Sequence, residues 1–214
     1  MKILNFDTTP NYDNLIIIGG GPSSLIYRKQ IETLLNNKET TSISSNRKAP
    51  ITKEVDYMLF LDKIFFKQYL KTHKPGESHH IIVGPKIKVP EKIDKTHVYL
   101  LNYNHKVKST KTININQNGY INHKTGGSGF ACLLSSVFFQ PKNIHIIGFD
   151  GPTETTMHHF NGADKEIGIE KTNRSRKFLK LILVYLINKD IKIYSYQQDQ
   201  FWNLNRDALG IQTH

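Results

Sequence analysis

A short aliphatic run followed at once by three glycines constrains the fold of this chain more than any other feature. The run is Leu15–Ile18, and the glycines are Gly19, Gly20 and Gly21. Four consecutive aliphatic residues predict a buried parallel strand, and the glycines predict a sharp turn after it. Pro22 fits the first position of a following helix, where its missing N–H costs nothing. The sequence therefore predicts a strand–turn–helix unit near its start.

Residues 19–24, the first glycine corner, have the composition of a phosphate site. Bare backbone amides at a helix N-terminus attract an anion, and Ser23 and Ser24 add hydroxyl groups. The predicted nucleotide contacts are Gly19, Gly20, Gly21, Pro22 and Ser23. The alternative is that the glycines only let strand and helix pack closely, with no ligand. A dinucleotide is disfavoured because Ser24 stands where the dinucleotide-binding fingerprint has its third glycine, whereas a mononucleotide fits.

Strand and helix patterns alternate along the chain, which indicates an α/β fold with a mostly parallel sheet flanked by helices. Strands are predicted at 14–19, 41–45, 55–61, 79–83, 143–148 and 191–194, with short candidates at 98–101 and 112–115. Helices are predicted at 22–36, 63–71 and 173–188, and a further helix is predicted to open with the segment 126–129 and to end at 139. The inner face of the first helix is predicted to carry Leu25, Ile26, Ile31, Leu34 and Leu35. We predict a single Rossmann-like domain over residues 1–214, with a lid loop over about 152–172.

The chain carries a large excess of positive charge, with 29 Lys and Arg against 18 Asp and Glu and a net charge of +11. This excess indicates either a solvated lysine-rich surface or attraction to a polyanion such as nucleic acid, an acidic glycan or a membrane surface. Cys132 is the only cysteine, which excludes an internal disulfide and favours a reducing, cytoplasmic location. No run reaches the roughly 18 apolar residues of a membrane span, so no integral membrane segment is expected.

Residues Thr125–Gly129, the second glycine corner, precede a small-residue helix and repeat the composition of the first. Ser128 and Gly129 are predicted nucleotide contacts, because a hydroxyl, a bare amide and a helix N-terminus again coincide. Two such corners in one parallel sheet suggest a ligand held from both sides of a switch-point crevice. Asp150 and Asp62 end predicted strands, where α/β enzymes place working side chains, although either could instead cap the following element.

His158 and His159 lie in the predicted lid, where one of them could act as a general base. Adjacent histidines cannot face one side of a regular element, so a paired metal site is not expected there. The chain also has no D-x-D motif of the kind that holds a divalent ion on a donor diphosphate. No metal ligands are therefore predicted, and the candidate catalytic residues are Asp62, Asp150, His158 and His159.

The order of these motifs resembles the small, metal-independent bacterial sialyltransferases that use CMP-sialic acid, and the related domain of motility-associated flagellin glycosyltransferases. The opening G-N-G-P-S-L of that family is similar to residues 19–25, and the asparagine after its second strand is matched by Asn46. Its T-S-G helix start is similar to Gly127–Gly129, and its G-x-D strand end to Gly148–Asp150. The resemblance spans about residues 14–195.

The resemblance implies a Rossmann-like glycosyltransferase of the GT-A-variant type, with the donor nucleotide between the two glycine corners. It implies that Asn46 touches the nucleotide and that Ser128 contacts the donor. Asp62 fits the flagellin branch, which has an aspartate at the third strand. Enzymes of this kind are often oligomers, so the resemblance also implies a homo-oligomer.

We therefore expect a transferase that moves a sugar from a CMP- or UDP-type nucleotide-sugar donor to a hydroxyl group, with no other cofactor. A glycan, a lipid-linked or a DNA acceptor is compatible with the basic charge. One alternative is a pterin pyrophosphokinase-like phosphotransferase dependent on Mg²⁺, because an archaeal branch of this superfamily is similar. The other is a basic, non-enzymatic nucleic-acid-binding protein, which would bind with a steep salt dependence.

Overall fold

The computed structural model describes most of the chain as alternating strands and helices. The described residues are 1–46, 54–76, 79–104, 112–123, 127–150, 169–197 and 200–213. The strands are β1 (Lys2–Ile3), β2 (Asn14–Ile18), β3 (Thr40–Ser45), β4 (Tyr57–Phe60), β5 (His80–Val83), β6 (Val98–Leu100), β7 (Asn102–Tyr103), β8 (Tyr120–Ile121), β9 (Asn143–Ile147), β10 (Lys192–Ser195) and β11 (Gln212–Thr213). The helices are α1 (Ser23–Ile26), α2 (Arg28–Leu35), α3 (Lys63–Thr72), α4 (Ser128–Ser135), α5 (Ile169–Ile187) and α6 (Gln200–Leu209).

Nine strands form one sheet in the order β1-β6-β5-β4-β3-β2-β9-β10-β11, and every pairing between the described neighbours is parallel. From β2 the chain adds β3, β4, β5 and β6 on one side and then returns to place β9 on the other side. The strand order therefore reverses between β2 and β9. In open parallel sheets, the crevice outside the carboxyl ends of such a strand pair is the usual ligand site.

The sheet is covered on both faces, which explains why strands such as β2 and β4 are nearly continuous apolar runs. Leu15 and Ile17 of β2 point into one core cluster, together with residues of α4, α5 and α6. Ile16 and Ile18 point into the other cluster, which contains residues of α2 and α3. The predicted α/β class, with a mostly parallel sheet between helical layers, is confirmed; the GT-A-variant type, the single domain and the lid stay predictions.

The predicted helix over 22–36 is wrong in its continuity, because it divides into α1 and α2 at Tyr27. The backbone of Tyr27 has φ −98° and ψ 20°, and its ring packs edge-on against Tyr196 at 5.5 Å. At about 100° per residue, Leu25 and Ile26 would lie more than about 100° from Ile31 even on a continuous helix, so their assignment to its inner face is wrong. Ile31 and Leu35 are buried as predicted, but Leu25 is 45% exposed and Ile26 is 71% exposed.

Other boundaries differ by a few residues, and several short elements were not predicted. Helix α5 begins at Ile169, so the last residues assigned to the lid are helical. The candidate strand at 112–115 is reduced to an isolated antiparallel bridge between Ile115 and Ile121. The elements that sequence patterns did not predict include β1, β7, β8, α6 and β11. No helix among the described residues combines the length and the apolar character that crossing a bilayer requires.

Candidate functional site

The two glycine corners and the strand end at Asp150 come together at the carboxyl edge of the sheet. Strand β2 runs into the first corner, and its parallel neighbour β9 runs into Gly148. Helix α4 begins at Ser128 and packs on β3, so the second corner lies at the same edge. This is the switch-point crevice expected from the strand order.

Glycines of the first corner bring two strand ends into backbone contact. A Cβ atom on Gly19 would lie 2.2 Å from the carbonyl oxygen of Gly148, and one on Gly148 would lie 2.4 Å from that of Gly19. Gly148 also has a φ of +75°, which favours glycine. The Gly21 N–H donates to the Gly148 carbonyl at 2.9 Å. These glycines are therefore explained by close packing between β2 and β9.

A carboxylate of the chain itself lies at the N-terminus of α1. The backbone N–H and the hydroxyl of Ser23 donate to Oδ2 of Asp150, at 2.9 and 2.8 Å. The Gly148 N–H in turn donates to the Ser23 hydroxyl oxygen at 2.8 Å. A Cβ on Gly21 would lie 2.2 Å from the same Asp150 oxygen, so only glycine leaves room for this carboxylate.

Donors predicted to bind phosphate at the first corner thus have partners within the chain. The Ser24 hydroxyl donates to the Gly21 carbonyl at 2.7 Å, and its side chain is fully buried. Pro22 precedes α1 with helical φ and ψ, as expected, but α1 contains only four residues. Its Ser23 amide already binds the Asp150 carboxylate. Nucleotide binding by Gly19, Gly20, Gly21, Pro22 and Ser23 stays a prediction.

The described part of the second corner has few close neighbours. Gly127 precedes α4 and is exposed, and a Cβ atom on it would have no heavy atom of the described residues within 4 Å. Within the described ranges, no side chain caps the first turn of α4, and that turn has no acidic residue. Gly129 lies against the ring of Phe149, with 3.1 Å from its Cβ position to the nearest ring carbon. The N-terminus of α4 therefore faces the crevice with its positive dipole end uncapped by a described side chain.

Asn46 connects the end of β3 to this corner. Its Nδ2 donates to the Ser128 hydroxyl at 2.8 Å, across 82 residues of sequence. The backbone of Asn46 has a φ of +60°, held by a hydrogen bond from its N–H to the Leu59 carbonyl at 2.9 Å. The side-chain Oδ1 is buried and accepts no hydrogen bond from any residue that the structure describes. A buried acceptor that has no partner among the described residues is typical of a ligand site.

Asp62 has a clear structural task. It is the N-cap of α3, and its Oδ1 accepts the Ile64 N–H at 2.7 Å. The residue is exposed. The capping alternative considered for Asp62 is thus confirmed, and its role as a catalytic base stays a prediction.

Sequence patterns did not identify two residues that position the crevice. The Trp202 indole N–H donates to the Phe149 carbonyl at 3.2 Å, and the Trp202 side chain is completely buried. Phe149 in turn packs on Gly129. Trp202 therefore links α6 to the segment between Gly148 and Asp150. The one signal available was that Trp202 is the only tryptophan of the chain.

Cys132 lies on α4, on the side that faces the core. Its side chain is 1% exposed, and burial raises the pKa of the thiol well above its usual range. A thiol that stays protonated is a poor nucleophile, so Cys132 acts as a small apolar core residue.

His158, His159 and most of the predicted lid lie outside the described residues. Among the residues that the structure describes, no three His, Cys, Asp or Glu side chains are grouped closely enough to hold a metal ion. No protein-family model matches the chain, and neither the curated proteins nor the solved structures include a significant match to it.

Proposed function

We propose that this chain is a glycosyltransferase that moves a sugar from a CMP- or UDP-type nucleotide-sugar to a hydroxyl acceptor without a divalent ion. The donor nucleotide would bind at the second glycine corner and extend across the switch-point crevice toward Asp150. The acceptor class that suits the net charge of +11 is anionic: a glycan, a lipid-linked sugar or DNA.

The observation that carries the proposal is the contact between Asn46 and Ser128 at the open end of α4. Asn46 uses its Nδ2 on the Ser128 hydroxyl, which leaves the buried Oδ1 as an acceptor without a partner among the described residues. A buried, unpaired acceptor costs about 1–3 kcal/mol unless a ligand donor reaches it. A nucleotide offers such donors on its ribose or base, while its phosphate suits the uncapped N-terminus of α4.

This arrangement supplies electrostatic stabilisation rather than a nucleophile of the protein. In the transfer, the bond between the sugar carbon and the donor phosphate oxygen breaks as the acceptor oxygen bonds to that carbon. The uncapped backbone N–H groups of α4 would stabilise charge that develops on the departing phosphate. The acceptor proton passes to a general base.

Among the candidate bases within the described residues, Asp150 has the better position. It lies at the strand-order reversal, and two Ser23 donors fix the direction of its Oδ2. Asp62 is at the carboxyl end of β4, two strands away from β2, and uses its Oδ1 to cap α3. We therefore assign the base role to Asp150 ahead of Asp62, His158 and His159.

A thermal-shift panel tests the donor class directly. The protein is heated with CMP, UDP, GDP, ADP, NAD or FAD, each with and without Mg²⁺. We expect CMP or UDP to raise the Tm without Mg²⁺, because a ligand stabilises the folded state it binds. Stabilisation by adenine nucleotides only with Mg²⁺ would favour phosphotransfer instead. No change in Tm with any of the six nucleotides would contradict the proposal.

Two variants locate the binding. Asn46→Asp keeps a side chain that tolerates positive φ but replaces the Nδ2 donor with a charge that repels phosphate. Ser128→Ala removes the hydroxyl that Asn46 binds. Both should lose most of the nucleotide-induced shift in Tm. Asn37→Asp introduces the same charge at an exposed turn and should keep the full shift.

A further inference from the structure

Large apolar side chains are exposed in a group at the carboxyl edge of the sheet. Ile26 is 71% exposed, Ile64 65% and Leu25 45%. The described residues include six exposed large hydrophobic side chains, so half of them are in this group. An exposed apolar cluster of this kind costs solvation free energy and indicates an interaction surface.

Topology places the three side chains on one surface. Leu25 and Ile26 are in α1, directly after the carboxyl end of β2, and Ile64 is in the first turn of α3, after β4. Helices α2 and α3 cover the same face of the sheet. Strands β2 and β4 flank β3, so their ends are about 10 Å apart.

Exposed lysines are close to these residues along the chain. Lys29 follows α1, and Lys63 and Lys67 are one helical turn apart in α3. The nearby Arg28 is paired with Glu32 at 3.1 Å, and Asp62 caps α3. The carboxyl-edge patch, defined as Leu25, Ile26, Ile64, Lys29, Lys63 and Lys67, therefore combines exposed apolar and cationic side chains.

The combination of apolar and cationic side chains in the carboxyl-edge patch favours one class of binding partner over the others. A second copy docked by the same patch across a two-fold axis would bring identical lysines together, which is unfavourable. Nucleic acid would pair with the lysines but would gain little from exposed isoleucines. A bilayer that contains anionic lipids satisfies both parts, because its acyl boundary accepts the apolar side chains and its headgroups attract the lysines.

We propose that the carboxyl-edge patch docks the protein reversibly onto anionic lipid bilayers. Docking would hold the switch-point crevice close to the membrane surface, since both lie at the same edge of the sheet. The proposal does not depend on transferase activity, and its test uses no nucleotide.

Co-sedimentation of the full chain with sucrose-loaded vesicles tests the docking. We expect binding to vesicles of phosphatidylcholine mixed with phosphatidylglycerol, and much weaker binding to phosphatidylcholine alone. The double variant Ile26→Ser/Ile64→Ser should weaken binding at least about tenfold. The matched control Leu204→Ser removes an equally exposed side chain, 69% exposed, from α6 in the opposite helical layer and should bind as the wild type does. Lys63→Gln and Lys67→Gln should each weaken binding about fivefold and lower its salt dependence.

Other outcomes would overturn the proposal. Equal binding by Ile26→Ser/Ile64→Ser and the wild type would show that the patch is not inserted. Loss of duplex-DNA binding in the lysine variants, with no vesicle binding by the wild type, would assign the patch to nucleic acid. A wild-type dimer that Ile26→Ser/Ile64→Ser converts to a monomer, again without vesicle binding, would assign it to self-association.

Discussion

The two glycine corners differ in what occupies the N-terminus of the helix that follows each one. At the first corner, the Asp150 carboxylate accepts two hydrogen bonds from Ser23, and Gly19 and Gly148 are in backbone contact. At the second, no described residue lies within 4 Å of the Cβ position of Gly127, and no described side chain caps α4. Similar local sequences thus differ in structure: the first corner fastens β2 to β9, whereas the start of α4 at the second has no cap from a described side chain.

The largest effect that would test this comparison comes from Gly148→Ala. The substitution places a Cβ 2.4 Å from the Gly19 carbonyl at a backbone φ of +75°, so we expect a loss of about 3 kcal/mol or more in unfolding free energy. Gly127→Ala is the matched control, since its φ of 170° suits any residue and its described surroundings are empty. It should cost less than about 1 kcal/mol. Urea unfolding measures both, and similar losses would contradict the contrast.

Asp150→Asn should have the next largest effect. It replaces a charged acceptor of two hydrogen bonds with a neutral one, so we expect about 2 kcal/mol of destabilisation by the same method. Asp62→Asn provides the comparison, because asparagine caps a helix as well as aspartate does. It should leave stability within about 0.5 kcal/mol of the wild type. A larger loss in Asp62→Asn than in Asp150→Asn would refute the fastening role of Asp150.

Replacement of Ser23 or Ser128 by alanine should have contrasting effects on stability and on nucleotide binding. Ser23→Ala removes the hydroxyl that joins Gly148 to Asp150 and leaves the Gly148 N–H unpaired, which should cost about 1–2 kcal/mol of unfolding free energy. Ser128→Ala should change stability by less than about 0.5 kcal/mol while it reduces the nucleotide-induced shift in Tm. Comparing each variant's Tm with and without CMP or UDP separates the two effects. A full nucleotide shift in Ser128→Ala would remove the second corner from the binding site.

A further effect, confined to high pH, concerns the packing beneath the first corner. Tyr196 contacts Tyr27 and the His145 ring, and burial raises its pKa from 10.0 to about 12. Because the folded state holds the phenol proton more tightly, Tyr196 lowers stability as the pH rises from about 10 to 12. Tyr196→Phe should make the fall in unfolding free energy over that range less steep. An unchanged slope would show that Tyr196 ionises normally in the folded state.

Local signals were sufficient for the seven central strands of the sheet, from β6 to β10. The run at Leu15–Ile18 is long enough and apolar enough to specify a buried parallel strand, and the structure confirms it. Strand ends at Ser45 and Ile147 agree with the prediction to within one residue. Residues that follow such strands, including Asn46 and Asp150, could therefore be assigned to the carboxyl edge.

Features that depend on contacts between distant parts of the chain could not be predicted from local sequence patterns. Tyr27 interrupts a well-patterned helix where its ring meets Tyr196, 169 residues later. Asp150 was expected either to work in catalysis or to cap the element after it. The structure shows that it also binds the N-terminus of α1, 127 residues earlier. No local propensity encodes the partner of such a carboxylate, because the pairing depends on β2 and β9 being neighbours.

The outermost strands of the nine-stranded sheet are each only two residues long. A row of free N–H and C=O groups at a sheet edge is a template on which another chain can form hydrogen bonds. Strands β1 and β11 shorten that template at both edges, so they oppose fibril growth and domain swapping by strand addition. Deleting Lys2 and Ile3 would uncover the edge of β6, and we would expect the shortened protein to aggregate more readily.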